Sequence, residues 1–421
     1  MKVLVLGTGG REHAIAWKIR QSPACERVYL HPGNAGTAVA GFPTFDNIAI
    51  DDLSALTKHA QDIGIGLVVI GPEALLEKGY ADAFRKAGFP VVGPNQAAAQ
   101  LETSKVFAKE FMRRAKVPTA DFFVIDNFQE MLALKETRRS WPVVLKLDGL
   151  AAGKGVVIAE NTRDIENFAD RIWQQNEFGR GQHKVVVEEF IEGKELSYIG
   201  LCDGSTFVPL ATATDFKRVG DHNTGPNTGG MGSISPSPYF SAELETKIKK
   251  DILGPVLNQL AKDGLDYRGA LYIGLMIDAQ GCPHVVEFNA RFGDPETQAV
   301  LLRLQTDFID LLVHTADATL IQSVSPEWTP GVSVYVVAAA EGYPANPRRG
   351  DPITGLELVE RSTQVFFSGV SGSGDSLMTN GGRVLGLGTT GPDFAVVRDQ
   401  IYRDLRRVDW QGIHYRKDIG A

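Results

Sequence analysis

Short apolar runs ended by glycine or proline recur near the start of the chain, each followed by a stretch with helical spacing. The run at 2–6 turns at Gly7-Thr8-Gly9-Gly10-Arg11-Glu12 into a helix reaching about Arg20, and further runs lie at 28–30, 67–70 and 91–92, with a helical stretch at 75–86. This alternation predicts a doubly wound domain with its ligand loops at the carboxyl ends of the strands. From 97 to 116 the period is again helical, with Leu101, Lys105, Ala108 and Met112 near one face. After Pro118 the pattern predicts short strands, a helix around 127–137, and strands at 143–145, 156–158 and 184–190. A hairpin over Ala279-Gln280-Gly281 joins strands at 271–278 and 284–289, and the part from about 331 reads as a small α/β domain docked on the preceding one, with no independent chemistry.

Length and charge narrow the picture. A chain of 421 residues is enough for about two to four domains. A hydrophobic share of 43%, a charged share of 22% and 45 glycines describe a soluble α/β protein with many turns. The net charge of -8 argues against general nucleic-acid binding, so any phosphate site is expected to be a local basic pocket. Cys25, Cys202 and Cys282 have no metal spacing and fit a reducing compartment. The apolar start is too short for a signal peptide, and no run approaches the roughly 18 residues of a membrane span. A cytoplasmic protein with no membrane partner, monomeric or weakly dimeric, is expected.

The densest candidate chemistry lies between the strands at 143–145 and 156–158. Gly149, Gly153 and Gly155 let a turn aim its N–H groups into a concavity, and Lys146 and Lys154 add positive charge. Such a loop suits polyphosphate, the plainer account being a flexible tip with solvated lysines. A Walker A loop is excluded because three residues separate Gly149 from Gly153, Gly155 replaces the hydroxyl residue, and a strand follows. The glycine turn after the first strand is no better as a dinucleotide fingerprint: Glu12 holds the third glycine position, and His31-Pro32-Gly33-Asn34 follows the second strand where an acid is needed. That helix N-terminus can still receive a phosphate, helped by Arg11.

Further along, Glu188-Glu189-Phe190-Ile191 ends an apolar strand, and a chain crossing between lobes there could offer backbone hydrogen bonds to a purine, with Glu195 for ribose hydroxyls; solvated acids are the alternative. Asp215 to Gly232 is aperiodic and rich in turn formers, with Lys217 and Arg218 beside it, which points to an anionic substrate. In the 284–289 strand Glu287 and Asn289 share a face while Phe288 points away, a pair suited to a hard cation completed by phosphates and water. Arg291, Asp294 and Glu296 follow at once.

Taken together, these residues resemble the glycinamide ribonucleotide synthetase family of the ATP-grasp superfamily. The resemblance runs from Gly9-Gly10-Arg11-Glu12-His13 and Pro32-Gly33-Asn34-Ala35-Gly36 through Gly71-Pro72-Glu73, Ser104-Lys105, the 146–155 stretch and the 225–232 loop to the run from Glu287 to Gln298. It implies a doubly wound N-terminal domain at 1–103, an ATP-grasp fold at 104–326 with a mobile lid at about 119–190, and a small C-terminal α/β domain at 327–421. The implied cofactors are ATP and Mg²⁺ (or Mn²⁺), and the implied substrates are glycine and phosphoribosylamine.

The resemblance also implies roles. Lys105, Lys146, Gly153, Lys154 and Gly155 would hold or cover the ATP phosphates, with Glu188, Glu189, Phe190 and Ile191 at adenine and Glu195 at ribose. Glu287 and Asn289 would bind the metal, and Arg291, Asp294 and Lys217 would act at the reacting groups. Gly9, Gly10, Arg11 and Asn34 would hold the ribose phosphate, while Asp215, Asn227, Thr228, Gly229, Gly230, Met231 and Gly293 would line the acceptor site. The chain departs from the family at Phe216, where histidine is usual, at Asn223, where an acid is usual, and at Leu147, where a small residue is usual. Two other readings are another ATP-grasp ligase or carboxylase, and a nucleotide-binding regulator without catalysis.

Overall fold

The computed structural model describes residues 1–138, 140–151, 155–320, 325–374 and 376–421. Strands Lys2–Gly7, Arg27–Pro32, Ile65–Ile70 and Val91–Val92 form a parallel sheet in the spatial order second, first, third, fourth. Their near-continuous burial is what a parallel sheet covered on both faces requires. The order reverses between the first and third strands, and the crevice of a doubly wound sheet opens at such a switch point.

Two antiparallel sheets follow. The strands Phe122–Ile125, Val185–Glu189, Val143–Leu147 and Val156–Ala159 lie side by side in that order. Helices Phe128–Thr137 and Thr162–Ala169 pack on this sheet around a core of its own that includes Met131, Leu145, Phe168 and Val187. The other sheet orders Phe207–Pro209, Lys194–Cys202, Gly269–Ile277 and Pro283–Asn289. Its inner face shares one core with the N-terminal sheet, from Leu4 and Leu6 to Ile273 and Phe288.

The structure amends three expectations. The 75–86 helix is two helices, Glu73–Glu77 and Tyr80–Lys86, because Gly79 between them takes φ 76°. The 97–116 helix is also divided, into Gln96–Thr103 and Lys105–Ala115, with Ser104 extended between them. Its Oγ accepts the Phe107 N–H at 3.1 Å, so a serine N-cap overrides helical continuity. Lastly, the C-terminal part is joined to its neighbour by a continuous sheet rather than docked on it: Thr214–Asp215, Gly232–Ser235, Val332–Ala339, Arg383–Gly391 and Gln364–Phe367 lie in that order, all antiparallel. Val332–Ala339 is buried almost throughout, and pairing with Gly232–Ser235 on one side and Arg383–Gly391 on the other satisfies its backbone.

Candidate active site

A cavity of about 770 Å³ opens where the three larger units meet. Gly7, Thr8 and Gly9 at the end of the first strand and Pro72 and Glu73 after the third line one side, at the switch point of the parallel sheet. Helix faces contribute Leu101, Lys105, Ala108 and Met112, the stripe that the periodicity predicts.

Lys105 occupies the first turn of its helix, and its Nζ donates to Gly149 O at 2.8 Å. Asp148, just before that glycine, accepts from Ser104 Oγ at 3.1 Å and from the Val106 N–H at 3.1 Å, so the hairpin's tip begins tied to the helix N-terminus. Burial lowers the Lys105 pKa, with Glu287 and Asp148 pulling the other way. Lys146 projects from the hairpin's first strand to 3.0 Å from Glu188 Oε1 and donates to Val286 O at 2.9 Å. The second Glu188 oxygen lies 3.2 Å from Lys109 Nζ, whose pKa burial brings down to about 8 against the pull of Glu188. Leu147 and Gly155 stand across the hairpin, and a Cβ on Gly155 would come within 2.7 Å of Ala151. Gly153 and Lys154 lie outside the described residues.

Of the four residues read as an adenine hinge, Glu188 alone lines this cavity. Residues 190–193 do carry the chain from the hairpin's sheet into the next one. Glu189 receives a two-pronged Arg138 guanidinium at 2.5 and 2.5 Å, and its N–H donates to Asp121 O at 3.0 Å. Phe190 is exposed and Ile191 half-buried. Glu195 is engaged by Lys217 Nζ at 3.1 Å.

Along Pro283–Asn289 the two-residue period puts Phe288 into the core and turns Glu287 and Asn289 to the cavity. Burial would raise the Glu287 pKa, but Lys217, Lys146 and Arg291 outweigh it and keep the carboxyl ionised below its usual range. Arg291 reaches Glu73 Oε2 at 3.2 Å, Glu102 Oε1 at 2.9 Å and Asn289 Oδ1 at 3.3 Å. Burial pushes Glu102 up to about 6 even beside this cation. Among the described residues no three His, Cys, Asp or Glu side chains group into a protein-only metal cage. Glu287 with Asn289 still fits a hard cation that completes its shell from phosphate and water, since both offer oxygens on one strand face.

The opposite wall is the 215–232 segment, which is ordered into strands Thr214–Asp215, Arg218–Gly220, Thr224–Asn227 and Gly232–Ser235. Asn227, Thr228 and Gly229 line the cavity with Asp215 and Lys217. Asp215 Oδ1 is buried without a hydrogen-bond partner, and burial together with nearby Glu296 raises its pKa well above the carboxylate range despite Lys217. Burial works against the Lys217 charge, yet Glu195 and Glu287 hold its pKa well above the usual value. Thr228 Oγ donates to Lys217 O at 2.8 Å and accepts the Gly230 N–H at 3.0 Å, which fixes the tip of the loop.

Several predicted substrate residues have other engagements. Gly9 N–H donates to Glu12 Oε2 at 2.8 Å and Gly10 N–H to Ser368 Oγ at 2.9 Å. Arg11 pairs with Glu12 Oε1 at 2.6 Å and donates to Phe292 O at 3.2 Å. Glu12 therefore lies in the turn where a third glycine would leave room, and a Cβ on Gly7 or Gly71 would overlap it. Gly9 and Arg11 line the cavity; Gly10 does not. Asn34 caps the helix Ala35–Val39 and donates to Thr8 O at 2.7 Å, outside the lining. Met231 is buried in the C-terminal core, while Gly230 packs on Pro295 and Gly293 on Glu296.

Asp294 binds Arg383 Nη2 at 2.7 Å and Gln298 Nε2 at 2.8 Å. Burial would raise its pKa, but Arg383 and Arg11 hold it below the usual range. Arg383 also donates to Gly229 O at 2.6 Å, and the Tyr343 hydroxyl accepts the Gly229 N–H at 3.0 Å. The C-terminal part thus brings chemistry to the cavity, contrary to the expectation. Glu73 stood in a visible strand-end turn; Glu102, Tyr343 and Arg383 gave no local signal, because their partners are distant in sequence.

Family models match the chain in three consecutive parts: the N domain of phosphoribosylglycinamide synthetase at residues 1–102, its ATP-grasp (A) domain at 103–297 and its C domain at 333–421. The chain is similar to the phosphoribosylamine–glycine ligase of Vibrio cholerae, at 44% identity over 421 residues, covering 100% of this chain and 98% of that one. To the Escherichia coli ligase it is 45% identical over 424 residues, with the same coverage of 100% and 98%. The crystal structure of a phosphoribosylamine–glycine ligase from Thermotoga maritima superposes with a TM-score of 0.84 at 36% identity, covering 99% of this chain and 100% of that one. The biotin carboxylase domain of a Hydrogenobacter thermophilus 2-oxoglutarate carboxylase shares the fold, with a TM-score of 0.72 at 19% identity over 98% and 91% of the two chains.

Proposed function

The chain belongs to the phosphoribosylglycinamide synthetase family and is an ATP-dependent ligase that joins glycine to 5-phosphoribosylamine, and on that premise we propose how its residues divide the work. The reaction proceeds through glycyl phosphate and yields glycinamide ribonucleotide, ADP and phosphate, a step of purine biosynthesis. The observation that carries the assignment of the site is that Lys105 and Lys146, Glu287 and Asn289, and the 227–229 loop all open into one cavity.

Lys105 and Lys146 hold the ATP phosphates, and residues 188–191 and Glu195 serve adenine and ribose. Glu287 and Asn289 would hold Mg²⁺ or Mn²⁺, which would supply charge neutralisation at the phosphates. The glycine carboxylate attacks the γ-phosphate, ADP leaves, and the amine of phosphoribosylamine then attacks the acyl carbon of glycyl phosphate, expelling phosphate. No protein nucleophile is needed. Arg291 and Lys217 face the developing negative charge, and alignment and exclusion of water from the acyl phosphate complete the protein's share. The buried, unpartnered Oδ1 of Asp215 is the acceptor we assign to the glycine ammonium group. Thr8, Gly9 and Arg11 lie on the side of the cavity assigned to the ribose phosphate.

We place domain limits at 103 and 326, with a lid at about 119–190 whose separate core suits movement as one body. A cytoplasmic monomer or weak dimer completes the reading; among the described residues no helix is long and apolar enough to cross a membrane. ADP release that needs both glycine and phosphoribosylamine supports this function. Release driven by bicarbonate alone would favour a carboxylase, and none with any acceptor a regulator.

A further inference from the structure

Two loop residues that depart from the family, Phe216 and Asn223, meet on one side chain far along the chain. Arg416 is only 1% exposed, with its guanidinium carbon 5.0 Å from the Phe216 ring centre. Its Nη1 donates to Asn223 Oδ1 at 2.9 Å and to Arg218 O at 3.2 Å, and Asp418 grips the other edge at 2.8 and 2.7 Å. The residues around it continue the clasp. His414 Nε2 donates to Val219 O at 2.8 Å, the Lys417 N–H to Asp221 Oδ1 at 2.7 Å, and the His222 N–H to Asp418 Oδ2 at 2.8 Å.

The clasped segment cannot hold this shape unaided. Arg218–Gly220 and Thr224–Asn227 form a separate two-stranded ribbon, a unit only marginally stable alone. Between them His222 and Asn223 take φ 53° and 56°, a conformation that side-chain-bearing residues keep only when their surroundings fix it. Strand alternation then sets the consequence: Phe216 faces the tail, while Asp215 and Lys217 on either side of it line the cavity.

We propose that Arg416 is a positioning residue for acceptor binding, setting the ribbon so that Lys217 just before it and Asn227 at its end stand at the right depth in the cavity. It touches no substrate. The inference rests on the reading that the 215–232 loop holds glycine and phosphoribosylamine. In this chain the grip on the ribbon uses a neutral amide and an aromatic face, so the planar fork of arginine matters more than its charge alone.

The test is steady-state kinetics of Arg416→Lys, Asn223→Ala and Asn227→Ala, with melting temperatures alongside. Arg416→Lys is expected to raise the KM for glycine or phosphoribosylamine by about tenfold, the loss of roughly one charge-assisted hydrogen bond, while the KM for ATP stays constant. Asn223→Ala, at an exposed position, is expected to move the same parameter by about threefold, and it carries the test if Arg416→Lys does not fold. Unchanged acceptor KM values, or equal changes for ATP and acceptors, overturn the proposal. Asn227→Ala separates the two levels: if it raises an acceptor KM and the other two variants do not, positioning by Arg416 falls. If it too leaves the acceptor KM values unchanged, the assignment of the loop falls.

Discussion

Arg383 Nη2 lies 2.7 Å from Asp294 Oδ2, joining a strand of the C-terminal region to the turn that follows Glu287 and Asn289. The same guanidinium donates to Gly229 O, so one side chain ties two walls of the cavity. Removing one partner of a buried pair leaves the other uncompensated, at a cost of about 3–5 kcal/mol. Since both side chains are about a fifth exposed, at 22% and 18%, the lower end is expected. Arg383→Met should therefore lower thermal stability and cut kcat/KM for the acceptors more than that for ATP. Stability unchanged in a denaturant titration would refute the role.

Glu287→Ala should abolish turnover by removing an oxygen ligand, while Asn289→Ala should leave activity that is restored in part by raising Mg²⁺. Glu287 is surrounded by Lys217, Lys146 and Arg291, so its loss also leaves cations facing one another. Near-normal activity of Glu287→Ala at saturating Mg²⁺ would exclude it as a ligand.

Asp215 has a pKa raised by burial and by Glu296, so the free protein holds this carboxyl protonated to higher pH than an ordinary aspartate. An ammonium group binds the ionised form. The kcat/KM for glycine should accordingly rise with pH through the raised Asp215 pKa, and Asp215→Asn should lose that limb of the profile. A profile of the same shape in the variant would remove Asp215 from the glycine site.

His13 is buried among Phe42, Phe366 and Phe367, and its Nδ1 accepts the Phe367 N–H at 2.9 Å. Burial, with Arg20 adding to it, lowers its pKa from 6.5 to about 3. The unfolded chain binds this proton first, so the protein loses stability as pH falls from 6.5 towards 3. A single group of this kind contributes a slope of up to about 1.4 kcal/mol per pH unit. His13→Asn, which keeps an acceptor, should flatten the acid limb of a stability-pH curve by about that amount; an unaltered limb would count against it.

Much of the molecule was legible because local pattern and burial agree. The parallel strands, the glycine hairpin with Lys146, and the shared face of Glu287 and Asn289 all follow from a period of two and from turn residues. The break at Ser104 was harder, since helical spacing continues across it and only the capping bonds decide. At the N-terminal turn the Gly9 N–H meets Glu12 Oε2, and sequence alone does not show which acceptor a glycine N–H meets. The roles of Arg383, Glu102 and Arg416 were invisible because their partners lie 89, 188 and 193 positions away. Only the assembled sheets bring them together.

The pairing of Gly232–Ser235 with Val332–Ala339 also bears on how the protein comes off the ribosome. A nascent chain that stops short of Val332 already carries Lys105, Lys146, Glu287 and Asn289, but the strand Gly232–Ser235 still has an unzipped edge. The cavity wall formed by residues 215–232 therefore gains its full sheet pairing only after the last part of the polypeptide has emerged.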